Sequence, residues 1–186
     1  MKLIKFQKTV KLFDLNTRDN FPVAQWHEHQ TEVSGVHWNL VRKDMFVTAS
    51  WDHTIKLFSP MSPQSIMTYA EHTYCVYQAI WSPRRATVFA SASGDGTVRI
   101  WDTVNDKRCM RSYHGHKEAV RGAHFKPNDG VDFLSFSFDT KIKIWDVETG
   151  KCKHTLGNGK VPYSCKYSPT EPHVVLAACK DKKIIQ

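Results

Sequence analysis

The 186-residue chain is 41% hydrophobic and 12% aromatic, enough for one domain with a sizeable core, and its formal charge of +8 leaves room for an anionic partner. That charge is spread over the chain, without the clustered stripe of a dedicated nucleic-acid surface. No run approaches the ~20 apolar residues of a membrane helix, residues 1–7 are too short and too charged for a signal peptide, and five cysteines without a C-x-x-C fit a reducing compartment without metal. The soluble cytosol or nucleus is therefore the expected location, with no membrane insertion.

In chain order, residues 1–14 end in Thr9-Val-Lys-Leu-Phe-Asp14, which aligns with the third strand of the units that follow, with Gln7 in the place of a turn Asp. Residues 21–26 read as an outer strand. Three full units come next, over 21–58, 65–101 and 108–145, each running outer, inner, middle and third strand. Runs rich in Val, Ile, Phe and Trp are separated by turn residues such as Ser82-Pro83-Arg84-Arg85 and the hairpin-sized Gly94-Asp95-Gly96. A fourth, weaker unit occupies 152–186 and stops at Lys182-Lys-Ile-Ile-Gln186.

The units share a skeleton in which a His precedes an S-x-D whose Asp lies 23 residues later: His29, Ser50, Asp52; His72, Ser93, Asp95; and His116, Ser137, Asp139. From Asp to Asp the period is 43 and then 44 residues, and Asp181 follows after 42 more. Periods of this size mean propeller blades. With Ile100-Trp101-Asp102 and Ile144-Trp145-Asp146 closing two of them, the chain resembles the WD-repeat β-propellers over nearly its whole length.

The resemblance implies an all-β WD-repeat β-propeller of about four blades, a single domain over residues 1–186, in an incomplete ring. A blade lacking a strand leaves an edge open to self-association. Three arrangements would meet it: a four-blade ring closed by residues 21–26, an eight-blade ring of two chains, or a sequence that is itself incomplete. The last is favoured, because both ends fall within blades and an open stack exposes apolar flanks.

His, Ser and Asp together suggest a hydrolase triad, yet their repetition at three sites speaks for structure, since an enzyme needs one. The resemblance implies buried hydrogen-bonded tetrads: His29, Ser50 and Asp52; His72, Ser93, Asp95 and Trp101; His116, Ser137, Asp139 and Trp145. Such a network lets a carboxylate be buried cheaply. Phe58 replaces the Trp in the first unit, and Asn158 and Cys179 fall where His and Ser are expected in the fourth, so these two blades are expected to be softer. Third-strand Lys56, Arg99 and Lys143 are expected to face solvent. His27-Glu28-His29 has the look of a metal corner, but His29 is claimed by the tetrad. No phosphate-cradling G-x-x-x-x-G-K-[ST] occurs. The expectation is a non-enzymatic binding platform without cofactor or metal.

In WD-repeat proteins the channel-side face usually binds partners, through residues flanking the first buried Val of each inner strand or preceding the turn Asp. Here the valines are Val33, Val76 and Val120, flanked by Glu32 and Ser34, Cys75 and Tyr77, and Ala119 and Arg121; Trp51, Gly94 and Phe138 precede Asp. Glu32, Trp51, Tyr77, Arg121 and Phe138 are the candidate contacts, the two aromatics because interfaces favour such anchors.

Two closer resemblances divide the chain. Glu28-His-Gln-Thr-Glu-Val33, Phe46-Val-Thr-Ala-Ser-Trp-Asp-His-Thr-Ile-Lys-Leu57, Glu71-His-Thr-Tyr-Cys-Val-Tyr77 and Val88-Phe-Ala-Ser-Ala-Ser-Gly-Asp95 are similar to the peroxin-7 family, cytosolic receptors for peroxisomal targeting signal 2. Residues 106–186, with Asp106-Lys-Arg-Cys109, Gly115-His-Lys-Glu-Ala-Val-Arg121, Trp145-Asp-Val-Glu-Thr-Gly-Lys-Cys152, Lys160-Val-Pro-Tyr163 and Asp181-Lys-Lys-Ile-Ile-Gln186, resemble the pre-mRNA-processing factor 17 family. The first implies a cargo receptor acting between cytoplasm and peroxisome with the targeting-signal peptide and peroxisomal import factors as partners. The second implies a nuclear scaffold for spliceosomal proteins or RNA.

Overall fold

The computed structural model describes residues 8–16, 21–104, 108–127 and 130–180 and the backbone of Ile184–Ile185. Gln7, Asp106 and Asp181 lie outside the described residues. The described elements are strands, paired antiparallel throughout, and no helix is long and apolar enough to cross a membrane. This is the all-β architecture that the repeat period implied.

Strands β1 (Val10–Leu12) and β2 (Ala24–Trp26) form a two-stranded pair with Val10 opposite Trp26. The first blade follows as β3 (Val33–Trp38), β4 (Phe46–Ser50), β5 (Ile55–Phe58) and β6 (Met67–Tyr69). The second is β7 (Val76–Trp81), β8 (Val88–Ser93), β9 (Val98–Asp102) and β10 (Cys109–Tyr113), and the third is β11 (Val120–Phe125), β12 (Asp132–Ser137), β13 (Ile142–Asp146) and β14 (Cys152–Leu156). The fourth holds β15 (Pro162–Tyr167), β16 (Val175–Cys179) and β17 (Ile184–Ile185). Each four-stranded sheet is thus offset from the sequence unit, its fourth strand supplied by the outer strand of the next.

That offset excludes one of the three arrangements and overturns one expectation. Residues 21–26 do not close a ring on the last blade: Ala24–Trp26 is taken by Val10–Leu12, the same third-to-outer pairing that the first three blades use. The blades form an open array. Nor do the third-strand cations point freely at solvent: the adjoining outer strand holds Lys56 and Lys143, and Glu71, in the loop between β6 and β7, holds Arg99. Lys56 Nζ donates to Thr68 Oγ1 at 3.0 Å, Arg99 pairs with Glu71 at 2.9 Å, and Lys143 Nζ donates to Thr155 Oγ1 at 3.1 Å.

Neighbouring blades share one core each. Val47, Ile55 and Leu57 pack on Val76, Phe89 and Trp101; Ile80, Val98 and Ile100 on Val120, Phe133 and Trp145; Leu134 and Ile142 on Cys165, Tyr167 and Ala177. At three junctions an outer-strand aromatic of one blade meets two aromatics of the next. Trp26 lies 5.3 and 5.6 Å from Phe46 and Phe58, Tyr69 lies 5.0 and 5.2 Å from Phe89 and Trp101, and Tyr113 lies 4.8 and 5.7 Å from Phe133 and Trp145. Such ring pairs add about 0.5–1.5 kcal/mol each beyond the area they bury.

Candidate partner-binding face

The middle and third strands alternate, so every second side chain points to the same neighbouring blade. In the second blade this brings together His72, Ser91, Asp95 and Trp101. The Trp101 indole donates to Ser91 Oγ at 2.8 Å, Ser91 Oγ lies 2.7 Å from His72 Nε2, and His72 Nδ1 lies 2.7 Å from Asp95 Oδ2. With the serine oxygen accepting from the indole, its own hydrogen goes to Nε2, and Nδ1–H donates to the carboxylate; a neutral imidazole satisfies every group. The third blade repeats the chain through Trp145, Ser135, His116 and Asp139 at 2.8, 2.7 and 2.8 Å. In the first, Thr48 and Asp52 flank His29 at 2.7 and 2.8 Å, and Phe58 brings no donor.

The hydroxyl of this network is therefore not that of the S-x-D. Ser50, Ser93 and Ser137 stand one pleat further along the strand, and each accepts the backbone N–H of its own turn Asp at 3.1 Å, while Ser93 and Ser137 donate to carbonyls of the facing loop. They close the turn; Thr48, Ser91 and Ser135 link His to Trp. Alternation from the Trp, whose cross-strand partners are Phe89 and Phe133, carries the signal that was missed.

The carboxylates are densely held. Asp95 Oδ1 accepts from Thr97 N and Oγ1, and Asp52 Oδ1 from Thr54 N and Oγ1, whereas Asp139 has Lys141 N alone on that oxygen. Burial by itself would raise the Asp95 and Asp52 carboxyls, but the bonds from His72 and Thr97, and from His29 and Thr54, outweigh it and hold both well below the usual range. Burial lowers His116 against the pull of Asp139, as a neutral imidazole requires.

Above these networks lies the channel mouth. In each blade the inner strand slips register near its start, between Val33 and Gly35, Val76 and Gln78, Val120 and Gly122, and Pro162 and Ser164. Such a bulge re-aims a side chain. The residues it frees are Ser34, Tyr77, Arg121 and Tyr163, and all four line one cavity of about 260 Å³. Arg121 lies 4.6 Å from the Tyr163 ring centroid and 5.4 Å from that of Phe138, a guanidinium flanked by two aromatic faces. Burial, followed by Cys75 and Tyr74, raises the Tyr77 phenol, with Arg121 opposing.

Trp51 and Phe138 are each 38% exposed, their N–H groups bonded to the Glu32 and Ala119 carbonyls. Gly94 holds the same place in the second blade, where Tyr74 fills the room: a Cβ on Gly94 would come within 2.4 Å of its ring. Tyr74 also stacks on His53 at 5.9 Å. Tyr74 and Tyr163 were not singled out from sequence, although Tyr163 is the fourth-unit counterpart of Tyr77 and Arg121 by register. The apparent metal corner comes apart. His29 belongs to its network, Glu28 accepts from Ser65 N at 2.6 Å, and His27 bonds Thr9 at 3.1 Å; among the described residues no cluster is placed to hold a metal.

Three segments, residues 20–59, 63–102 and 107–146, match the WD domain, G-beta repeat. The chain belongs to that family. Among curated relatives of these WD repeats is the Peroxisomal targeting signal 2 receptor of Saccharomyces cerevisiae, 31% identical over 121 residues, covering 50% of this chain and 32% of the relative. The human receptor of that name is 44% identical over 72 residues, 38% of this chain and 22% of the relative. Pre-mRNA-processing factor 17 of Mus musculus is 36% identical over 125 residues, 66% of this chain and 21% of the relative. The chain thus spans about a third or less of each of these relatives. Its likenesses overlap, since a 125-residue match is longer than residues 106–186.

Proposed function

We propose that this WD-repeat scaffold receives a peptide on its channel-side face, acting as a receptor for peroxisomal targeting signal 2 in peroxisomal matrix protein import, between cytoplasm and peroxisome. The observation that carries this reading is the rim itself: bulge residues from all four blades converge on one cavity, Phe138 lies against its Arg121, and Trp51 and Tyr74 are exposed beside the turns of the first and second blades. Exposed aromatics around charged groups are what an amphipathic helix needs in order to lie across a surface. Glu32 attracts its basic positions, Trp51 and Tyr77 cover its apolar side, and Arg121, two blades from Glu32, favours the negative end of its dipole. The named function of the yeast and human relatives supports the same assignment.

The test is affinity for a fluorescent targeting-signal peptide. Glu32→Lys and Trp51→Ala should each weaken binding about tenfold or more, a loss typical of interface anchors; an affinity unchanged by both removes the assignment. The extent of the match to factor 17, 66% of the chain, favours a second reading as a nuclear splicing scaffold holding spliceosomal proteins or RNA through Arg121 and Phe138. RNA retention that falls steeply with salt, in a protein indifferent to the signal peptide, would select it.

A further inference from the structure

Each inner strand is the channel-side edge of its sheet, so part of its backbone has no strand beside it. Side chains of the preceding blade meet that need. Trp81 N–H donates to His37 Nδ1 at 3.3 Å, Ala123 N–H to Gln78 Oε1 at 2.8 Å, and Tyr167 N–H to His124 Nδ1 at 3.3 Å. These bridges tie the first blade to the second, the second to the third and the third to the fourth. The middle one differs from the other two: an amide oxygen accepts at any pH, whereas an imidazole nitrogen accepts only while it is bare.

A backbone N–H can only donate, so in both histidine bridges Nδ1 is bare and the neutral ring carries its hydrogen on Nε2. Protonation sets a second donor against the N–H and removes the bond. The two rings line one cavity of about 140 Å³. His37 also lines the 260 Å³ cavity with Tyr77, Arg121 and Tyr163, and His124 lies 6.3 Å from the Tyr167 ring. Among the described residues no carboxylate lines either cavity to hold a charged ring. Burial lowers both histidines; at His37 the Trp38 backbone opposes it and Lys166 adds to it, and at His124 Lys166 and then His37 add to it. With both folded values below the ordinary 6.5, the contribution of the neutral rings is complete above about pH 6.5 and is lost as pH falls through the folded values.

We infer that His37 and His124 are acid-released latches, which loosen the first blade from the second and the fourth from the third while Gln78 keeps the second and third together. Two contacts of the rim span the junctions that acid loosens. Arg121 of the third blade lies 4.6 Å from the Tyr163 ring of the fourth, and Ser34 Oγ of the first donates to the Val76 carbonyl of the second at 2.6 Å. Mild acid therefore loosens the channel mouth whatever the rim binds.

Amide hydrogen exchange, corrected for the intrinsic effect of pH, tests this on the whole chain at about pH 7.5 and about pH 5. On acidification, protection at Trp81 and Tyr167 should fall about fivefold or more relative to Ala123, the loss of one ordinary hydrogen bond at each. Titration of the ¹⁵N-labelled His37 and His124 rings should show the Nε2–H tautomer at the higher pH and run in step with that fall. His37→Gln and His124→Gln place at each junction the kind of acceptor that Gln78 already supplies. Each variant should abolish the acid loss at its own amide, Trp81 or Tyr167, and leave it at the other. Protection that is unchanged by acid, that falls equally at Ala123 as general unfolding would make it, or that still falls in the glutamine variants overturns the inference, as does an Nδ1–H tautomer.

Discussion

The junction between the first and second blades and that between the third and fourth share one register, yet they are filled differently. At the former, Tyr69, Phe89 and Trp101 close on one another and the Trp101–Ser91–His72–Asp95 chain runs beneath them. At the latter the corresponding places hold Leu156, Val175, Ala177 and exposed Asn158, and a cavity of about 290 Å³ opens among them. The first blade lies between: Phe58 makes no hydrogen bond to Thr48 but stacks on Phe46 at 5.2 Å and meets Trp26. Aromatic filling and the indole's hydrogen bond are therefore separable: the first blade keeps Thr48, His29 and Asp52 in their chain beside a ring that donates nothing.

The largest effect should come from cutting the polar chain at its carboxylate. Asp95→Ala leaves His72 Nδ1 and the Thr97 groups without their acceptor, in a site where the His72 side chain is 0% exposed and that of Asp95 7%. The expected cost is about 2–4 kcal/mol, read as a lower melting temperature at pH 7, and an unchanged value would deny the network a structural role. The acid limb sharpens this. Because the folded carboxyl of Asp95 sits below its unfolded value of about 3.9, its contribution is complete above that pH and is lost as pH falls further toward the folded pKa. Wild type should therefore lose stability more steeply below about pH 4 than Asp95→Asn does.

The repeat was legible because an S-x-D turn, a preceding His and a Trp-Asp strand end recur at nearly constant spacing, and spacing survives as blade geometry. Tyr77 and Arg121 were legible as cavity-lining positions for the same reason, each following its strand's first buried residue, Val76 and Val120, whereas Val33 beside Glu32 is only half-buried. Which hydroxyl completes the polar chain was not. Ser91 and Ser93 lie on one face of β8, both fully buried, and only the height of the Trp101 indole on β9 selects the first. The partners of Lys56 and Arg99 were hidden too, since alternation tells which face a side chain takes but not which groups meet it there, Thr68 of the adjoining outer strand for Lys56 and Glu71 of the loop before β7 for Arg99. Tyr74 was obscured by chemistry of the opposite kind: its place is set by what Gly94 lacks.

A smaller, sharper test makes the second blade imitate the first. Trp101→Phe removes the indole donor from Ser91 while keeping an aromatic ring against Tyr69, as Phe58 does against Trp26. About 1–2 kcal/mol should be lost. Part of that is volume, so Ser91→Ala and the double variant complete a cycle: with the bond at fault, the pair should cost less than the sum of the singles by about 0.5–1.5 kcal/mol. Strict additivity in urea unfolding would mean that the indole matters only as filling, and that the first and second blades differ in nothing but size.

The smallest effect separates the second and third blades, which share the full chain. The residue after the turn Asp has positive φ in each, +82° at Gly96 and +68° at Thr140. A left-handed conformation costs a residue with Cβ about 1–2 kcal/mol and glycine almost nothing, though glycine gives back up to about 1 kcal/mol through its freer unfolded state. Thr140 is β-branched, which places it at the costly end. It also follows Asp139, the carboxylate that lacks the threonine hydroxyl found at Asp52 and Asp95. Thr140→Gly should therefore stabilise the protein by about 0.5 kcal/mol, the difference of those two terms. The matching Gly96→Thr should destabilise it by a similar amount, since the nearest atoms to a Cβ there are carbonyl oxygens at 3.7 and 3.8 Å, and strain rather than collision sets the cost. Opposite signs for the two substitutions would trace this difference between the blades to backbone strain in the turn; a loss in both would place it in contacts of the Thr140 side chain.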